Sequence, residues 1–153
     1  MTDLEAQFNN LSVQVFRKFA RFEYALKAAG FHYGEGDAKP NWERYACSIG
    51  STLEKPDTKE LQEAIPYILK HPPKKQVIKN DVIDWDEVKP DHRSQTDLIL
   101  LYVRRVRNNL FHGGKFDGHQ LERVRDYDLL RHSLTILKAC LAASDPVRKA
   151  YYG

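Results

Sequence analysis

Apolar residues Leu4, Phe8, Leu11, Val15, Phe22 and Leu26 recur at helical spacing, which predicts a long helix from about Asp3 to Ala29. Gly30 follows as its C-cap. A second stripe, Val13, Phe16, Ala20 and Tyr24, makes this helix apolar on two sides. Such a helix is either central in its domain or covered by another chain. The chain then passes through "YGEGDAKPN", a loop in which Asn41 caps a short helix reaching about Leu53. "KPDT" supplies turn residues and a cap for a helix from Lys59 to Lys70, with Pro66 bending it. After "KHPPKK", the run "QVIKNDVIDWDEV" carries β-branched residues on either side of Lys79-Asn80-Asp81, a pattern that allows a small hairpin.

From Ser94, a candidate cap, the helical period returns. At about 100° per residue, Ile99, Val103, Val106 and Leu110 fall within about 60° of one another and form the core stripe. Leu101, Arg105, Asn108 and His112 form a stripe on the opposite side, with Arg107 on the flank. A last long helix covers about Leu121 to Ala143. Its stripes are Tyr127, Leu130, Leu134, Leu137 and Leu141 on one side, and Leu129, Ile136 and Cys140 on the other. Asp145-Pro146 is expected to end it and to leave "VRKAYYG" as a loose or partly docked tail. The expected architecture is a single all-α domain over residues 1–153: a bundle of four to five helices with short middle elements.

Composition narrows the class. With 42% hydrophobic and 29% charged residues, the chain reads as globular, and no apolar run reaches the length of a membrane span. The opening "MTDLEAQFNN" lacks the basic and apolar regions of a signal peptide, so a cytoplasmic setting without membrane attachment is expected. Two cysteines, Cys47 and Cys140, are too few for a disulfide framework or a zinc site, and no metal or cofactor is expected. Asp84, Asp86 and Glu87 form an acidic turn with no metal partner in the nearby sequence. His32, His71, His92 and His119 fall in expected loops, and Trp42 and Trp85 read as packing anchors.

A net charge of +3 permits a polyanionic partner, and its distribution says more. Between Arg104 and Arg125 stand Arg104, Arg105, Arg107, Lys115, Arg123 and Arg125 against only Asp117 and Glu122. Phosphates suit such an excess; a helix C-terminus also favours cations on its own account. Within this region "VRRVRNNLFHGGKF" crowds Arg107, Asn108, Asn109 and His112 against Gly113-Gly114.

A helix ending in Arg107-Asn108, with four residues before His112, in a small all-α domain resembles the HEPN superfamily. Its members commonly carry an Arg, a polar residue after it, and a His after four to six intervening residues. The segment "RFEYALKAAG" also looks like the corresponding first helix. The likeness spans the chain as architecture and Arg107 to Gly114 as motif. Arg105 with His112, and Arg125 with His132, also meet the longer gap, but Arg105 is followed by Val106, and Arg125 and His132 read as a surface row on a continuing helix. HEPN toxins paired with nucleotidyltransferase antitoxins often have a Tyr two residues beyond the His, where this chain has Gly114.

The resemblance implies a metal-independent endoribonuclease of the kind used as toxins or in phage defence. It implies a homodimer whose two Arg and two His face a shared cleft, and a possible antitoxin or regulatory protein as partner; a non-catalytic module binding RNA or a partner protein is the alternative. Arg107, Asn108 and His112 are then the catalytic set, and Arg104, Arg105 and Lys115 the RNA-binding cations. The residue types suit the chemistry. A histidine exchanges protons near neutral pH, and the arginine fork donates two parallel bonds to a phosphate. On a straight helix Arg107 and His112 point about 140° apart, so either the last turn loosens or a second protomer supplies its copy. The second stripes on the first and last helices offer that partner apolar surface. The alternative for these residues is plain helix capping.

Overall fold

Capping residues set the helix starts that position the chain. Asn41 Oδ1 accepts from the Arg44 N–H at 3.1 Å, Thr58 Oγ1 from Leu61 at 3.2 Å, and Ser94 Oγ from Asp97 at 3.1 Å. The computed structural model describes residues 3–112 and 120–153. In chain order these form α1 (Asp3–Ala28), α2 (Trp42–Ile49), α3 (Lys59–Lys70), β1 (Lys75–Lys79), β2 (Val82–Asp86), α4 (Gln95–Phe111), α5 (Gln120–Ala143) and α6 (Asp145–Tyr152). Gly113, Gly114, Lys115 and His119 lie outside the described residues.

Gly30 closes α1 with φ +96°, and the Phe31 N–H reaches back to the Leu26 carbonyl at 2.8 Å. The expected hairpin is present as an antiparallel pair with Ile78 opposite Ile83 and Lys79 opposite Val82. Its turn residues Asn80 and Asp81 both have positive φ (51° and 64°), the tight hairpin geometry that Asn and Asp tolerate. The helix α3 continues through Pro66 to Lys70.

The core draws buried side chains from all six described helices. Phe22 stacks on Trp42 with ring centroids 5.4 Å apart, and both rings meet the edge of Tyr45. Tyr45 is fully buried and its hydroxyl donates to the Cys140 carbonyl at 2.9 Å, tying α2 to α5. Burial pushes the Tyr45 phenol well above its ordinary range and the Cys140 thiol up to about 12. Cys140 is therefore an inert core thiol, and Cys47 is exposed and unpaired with it.

The C-terminal segment, expected as a loose or partly docked tail, is a helix of its own: Pro146 stands in the first turn of α6, where its fixed φ suits a helix start. Val147 is fully buried, and Arg21 of α1 donates to the Tyr151 carbonyl at 2.6 Å, so α6 is docked. Added to the helices expected, α6 brings the described helices to six rather than four to five. Both stripes of α5 are buried or half-buried within the chain, because α1, α3, α4 and α6 all pack on it. Among the described residues nothing covers the second stripe of α1, with Val13, Phe16 and Tyr24 each more than half exposed.

His132 is buried where α3 packs on α5 rather than part of a surface row. Its ring lies 4.7 Å from that of Tyr67, which also stacks on His71, the C-cap of α3, at 4.5 Å. Arg131 Nη2 stands 3.3 Å from His132 Nε2, so the guanidinium charge faces the ring directly. Burial first, and Arg131 second, lower the His132 pKa, against the opposing pull of Asp128 and Glu63. The unfolded chain then binds this proton more readily than the folded one, so stability falls as pH drops below about 6.5 towards the lowered folded value. Urea midpoints measured between pH 7.5 and 5 are expected to decline in the wild type and to decline less in His132→Gln. Equal slopes for the two chains would dismiss His132 as the cause.

Candidate functional site

The stripe Leu101, Arg105, Asn108 and His112 turns away from the core and becomes the floor of a cleft of about 540 Å³. Arg104, Arg107 and Asn109 of α4 complete that floor; Glu23 of α1, Trp42 of α2, and Lys75 and Gln76 of β1 form the walls. Arg107 and His112 thus face one space within a single chain. The reason is local: α4 ends at Phe111 and His112 is its C-cap at φ −89°, ψ 16°, while the long Arg107 side chain reaches across the flank. The His112 N–H still bonds the Asn108 carbonyl at 2.9 Å. Its ring is exposed and meets only the edge of Phe111 among the aromatic rings described.

Arg107 is held on three sides. Nη1 lies 2.5 Å from Glu23 Oε1, Nε donates to Asn108 Oδ1 at 2.8 Å, and the guanidinium lies 4.6 Å from the centroid of the Phe19 ring. Glu23 is in turn fixed by Trp42, whose Nε1–H donates to Oε2 at 2.8 Å. Arg104 lies over the Trp42 ring at 5.4 Å and donates through Nε to its own helix at the Leu100 carbonyl. Its buried Nη2 has no partner among the described residues. Burial lowers the pKa of Arg104 and Asp97 and Glu23 oppose the shift; an arginine keeps its charge through such changes.

Other expected binding residues are placed differently. Arg105 Nη1 reaches the carbonyls of Pro73 at 3.4 Å and Val88 at 3.3 Å, the two ends of the hairpin segment. Buried Asn109 donates to the Lys74 carbonyl at 2.7 Å, and Arg125 to that of Pro72 at 2.9 Å. These three side chains clamp the base of the hairpin and so hold Lys75 and Gln76 at the cleft edge. Arg125 and His132 do not reach the cleft lining, and Lys115 lies outside the described residues.

Sequence reasoning missed Glu23, Lys75 and Gln76 as members of the cleft. Glu23 sits between Phe22 and Tyr24 in an ordinary helical pattern, 84 residues from its partner, and nothing local marks it. Among the described residues no group of three or more His, Cys, Asp or Glu side chains is placed to hold a metal, and no helix is long and apolar enough to cross a membrane. Comparison of the chain with protein-family models, curated proteins and solved structures finds no match.

Proposed function

We propose that the chain is a HEPN-type, metal-independent endoribonuclease that cuts RNA to 2′,3′-cyclic phosphate and 5′-hydroxyl ends, in a cytoplasmic toxin or phage-defence role. The observation that carries the reading is the cleft itself: Arg107, Asn108 and His112 line it together, with Arg104, Arg105 and Lys75 adding positive charge against one carboxylate among the described residues, Glu23. In the reaction the RNA 2′-hydroxyl attacks the adjacent phosphorus and loses its proton to an imidazole. The bond to the 5′-oxygen breaks, and that oxygen takes a proton from an imidazolium. Arg107 donates to the phosphate oxygens on which charge grows, and Asn108 orients Arg107 through the bond to its Nε.

One chain supplies one His112. A homodimer supplies two, so that one acts as base and the other as acid. The uncovered stripe Val13, Phe16 and Tyr24 on α1 supports a second copy, since it is contiguous along the helix with Glu23 at the cleft wall. The alternative, a non-catalytic HEPN module binding RNA or a partner protein, draws support from the Arg107–Glu23 pair, which engages the arginine before any substrate arrives.

Incubation with single-stranded RNA in excess chelator tests the reading. Cleavage with cyclic-phosphate products is expected, and a 2′-deoxy linkage at the cut site is expected to resist. Binding without cleavage would favour the alternative module, and cleavage of the deoxy linkage would require another mechanism. Full activity from a protein that sediments as a monomer would remove the two-chain version of the site.

A further inference from the structure

We propose that Glu23 is a positioning residue of this cleft: its carboxylate fixes the Arg107 guanidinium so that Nη2 is the group offered to a substrate phosphate. The proposal rests on the ribonuclease reading and adds to it a residue from another helix. Hydrogen-bond accounting shows the division of labour. A guanidinium has five N–H groups, one on Nε and two on each terminal nitrogen. Here Nε is taken by Asn108 and Nη1 by Glu23, while Nη2 makes no bond to a described residue.

Glu23 is suited to hold rather than to wander. Its Oε2 is bonded by the Trp42 indole, and Trp42 is itself 3% exposed and stacked flat on Phe22, with 9° between the ring planes. The carboxylate is therefore anchored from behind, and the Phe19 ring supports one face of the guanidinium. Arg104 and Arg107 stand one turn apart on α4 and repel each other; Glu23 offsets that repulsion, acting on Arg104 as well as on Arg107. An arginine ordered before binding loses less freedom when the phosphate arrives, and a fixed donor needs no rearrangement as charge develops. A phosphate meeting Nη2 leaves the Nη1–Glu23 bond in place, so the carboxylate does not compete for the same N–H.

The test compares wild type, Glu23→Gln, Arg107→Lys and the double variant, using cleavage of a single-stranded RNA oligonucleotide and binding of its 2′-deoxy counterpart. A glutamine offers one carbonyl and no charge, so it cannot serve Trp42 and Arg107 together. In Glu23→Gln, kcat is expected to fall about 10- to 100-fold, the cost of a displaced catalytic group. Affinity for the deoxy oligonucleotide should change by less than about threefold, since losing a negative charge offsets losing order. In the Arg107→Lys background the same change should have little further effect, because Glu23 acts through Arg107.

A merely structural pair would instead lower the melting temperature and leave kcat intact below it. Unchanged kcat in Glu23→Gln, or the same loss with Arg107→Lys already present, overturns the proposal alone. A wild type that cuts no RNA overturns the ribonuclease reading and this proposal with it. Should Glu23→Gln fail to fold, Trp42→Phe keeps the ring and removes the N–H. A drop in kcat there supports the proposal, and wild-type kcat rejects it.

Discussion

His112→Ala is expected to lower RNA cleavage by about 10²- to 10⁴-fold, the range for removing a general acid–base group, while the helical content stays that of the wild type. The position makes the experiment clean. The ring is exposed and outside the helix, and what the structure asks of residue 112 is a backbone N–H for the Asn108 carbonyl, which alanine keeps. A loss of activity therefore reports on chemistry and not on folding. Arg107→Ala is expected to abolish cleavage as well, but it also strands a partly buried carboxylate at Glu23, whose side chain is 20% exposed. Some loss of stability should accompany it. Circular dichroism and product analysis on both variants decide the matter: two variants with undiminished cleavage would end the assignment of these residues.

Phe22→Ala is expected to cost about 3–5 kcal/mol, a large share of the roughly 5–15 kcal/mol that holds a domain of this kind folded. Phe22 is 1% exposed, stacks on Trp42 and meets the edge of Tyr45, so its removal opens a cavity between α1 and α2. The melting temperature should fall by about 6–20 °C. The same cavity lies behind the chain of contacts from Trp42 through Glu23 to Arg107. A second effect follows: at temperatures where Phe22→Ala is still folded, cleavage should be slower than in wild type. Phe16→Ala, on the exposed face of the same helix, provides the comparison and should leave monomer stability within about 0.5 kcal/mol. Similar melting temperatures for Phe22→Ala and wild type would contradict the packing described.

Much of the candidate site was legible because its signals are local. Arg107, Asn108 and His112 share the end of one helix, and the stripe opposite Ile99, Val103 and Val106 was bound to face away from whatever buried those three. The cations were less legible. Arg105 and Arg125 are as basic in sequence as Arg107, yet both are used on backbone carbonyls of the segment around the hairpin. An arginine finds the acceptors that folding brings near it, and sequence spacing does not name them. His132 was misplaced for the same reason, since the face of α5 that carries it is covered by α3.

What the sequence determined by itself was period and punctuation: where α1 to α5 run, that Asn41, Thr58 and Ser94 begin three of them, and that Asn80-Asp81 turns the hairpin. These depend on interactions within a few residues, whose geometry the chain carries wherever it goes. Tertiary structure alone decided which apolar faces are covered, that α6 docks rather than trails, and that Glu23 meets Arg107 across 84 residues. Such pairings arise because each helix must bury its stripe against some neighbour. The choice of neighbour depends on the packing of the whole chain.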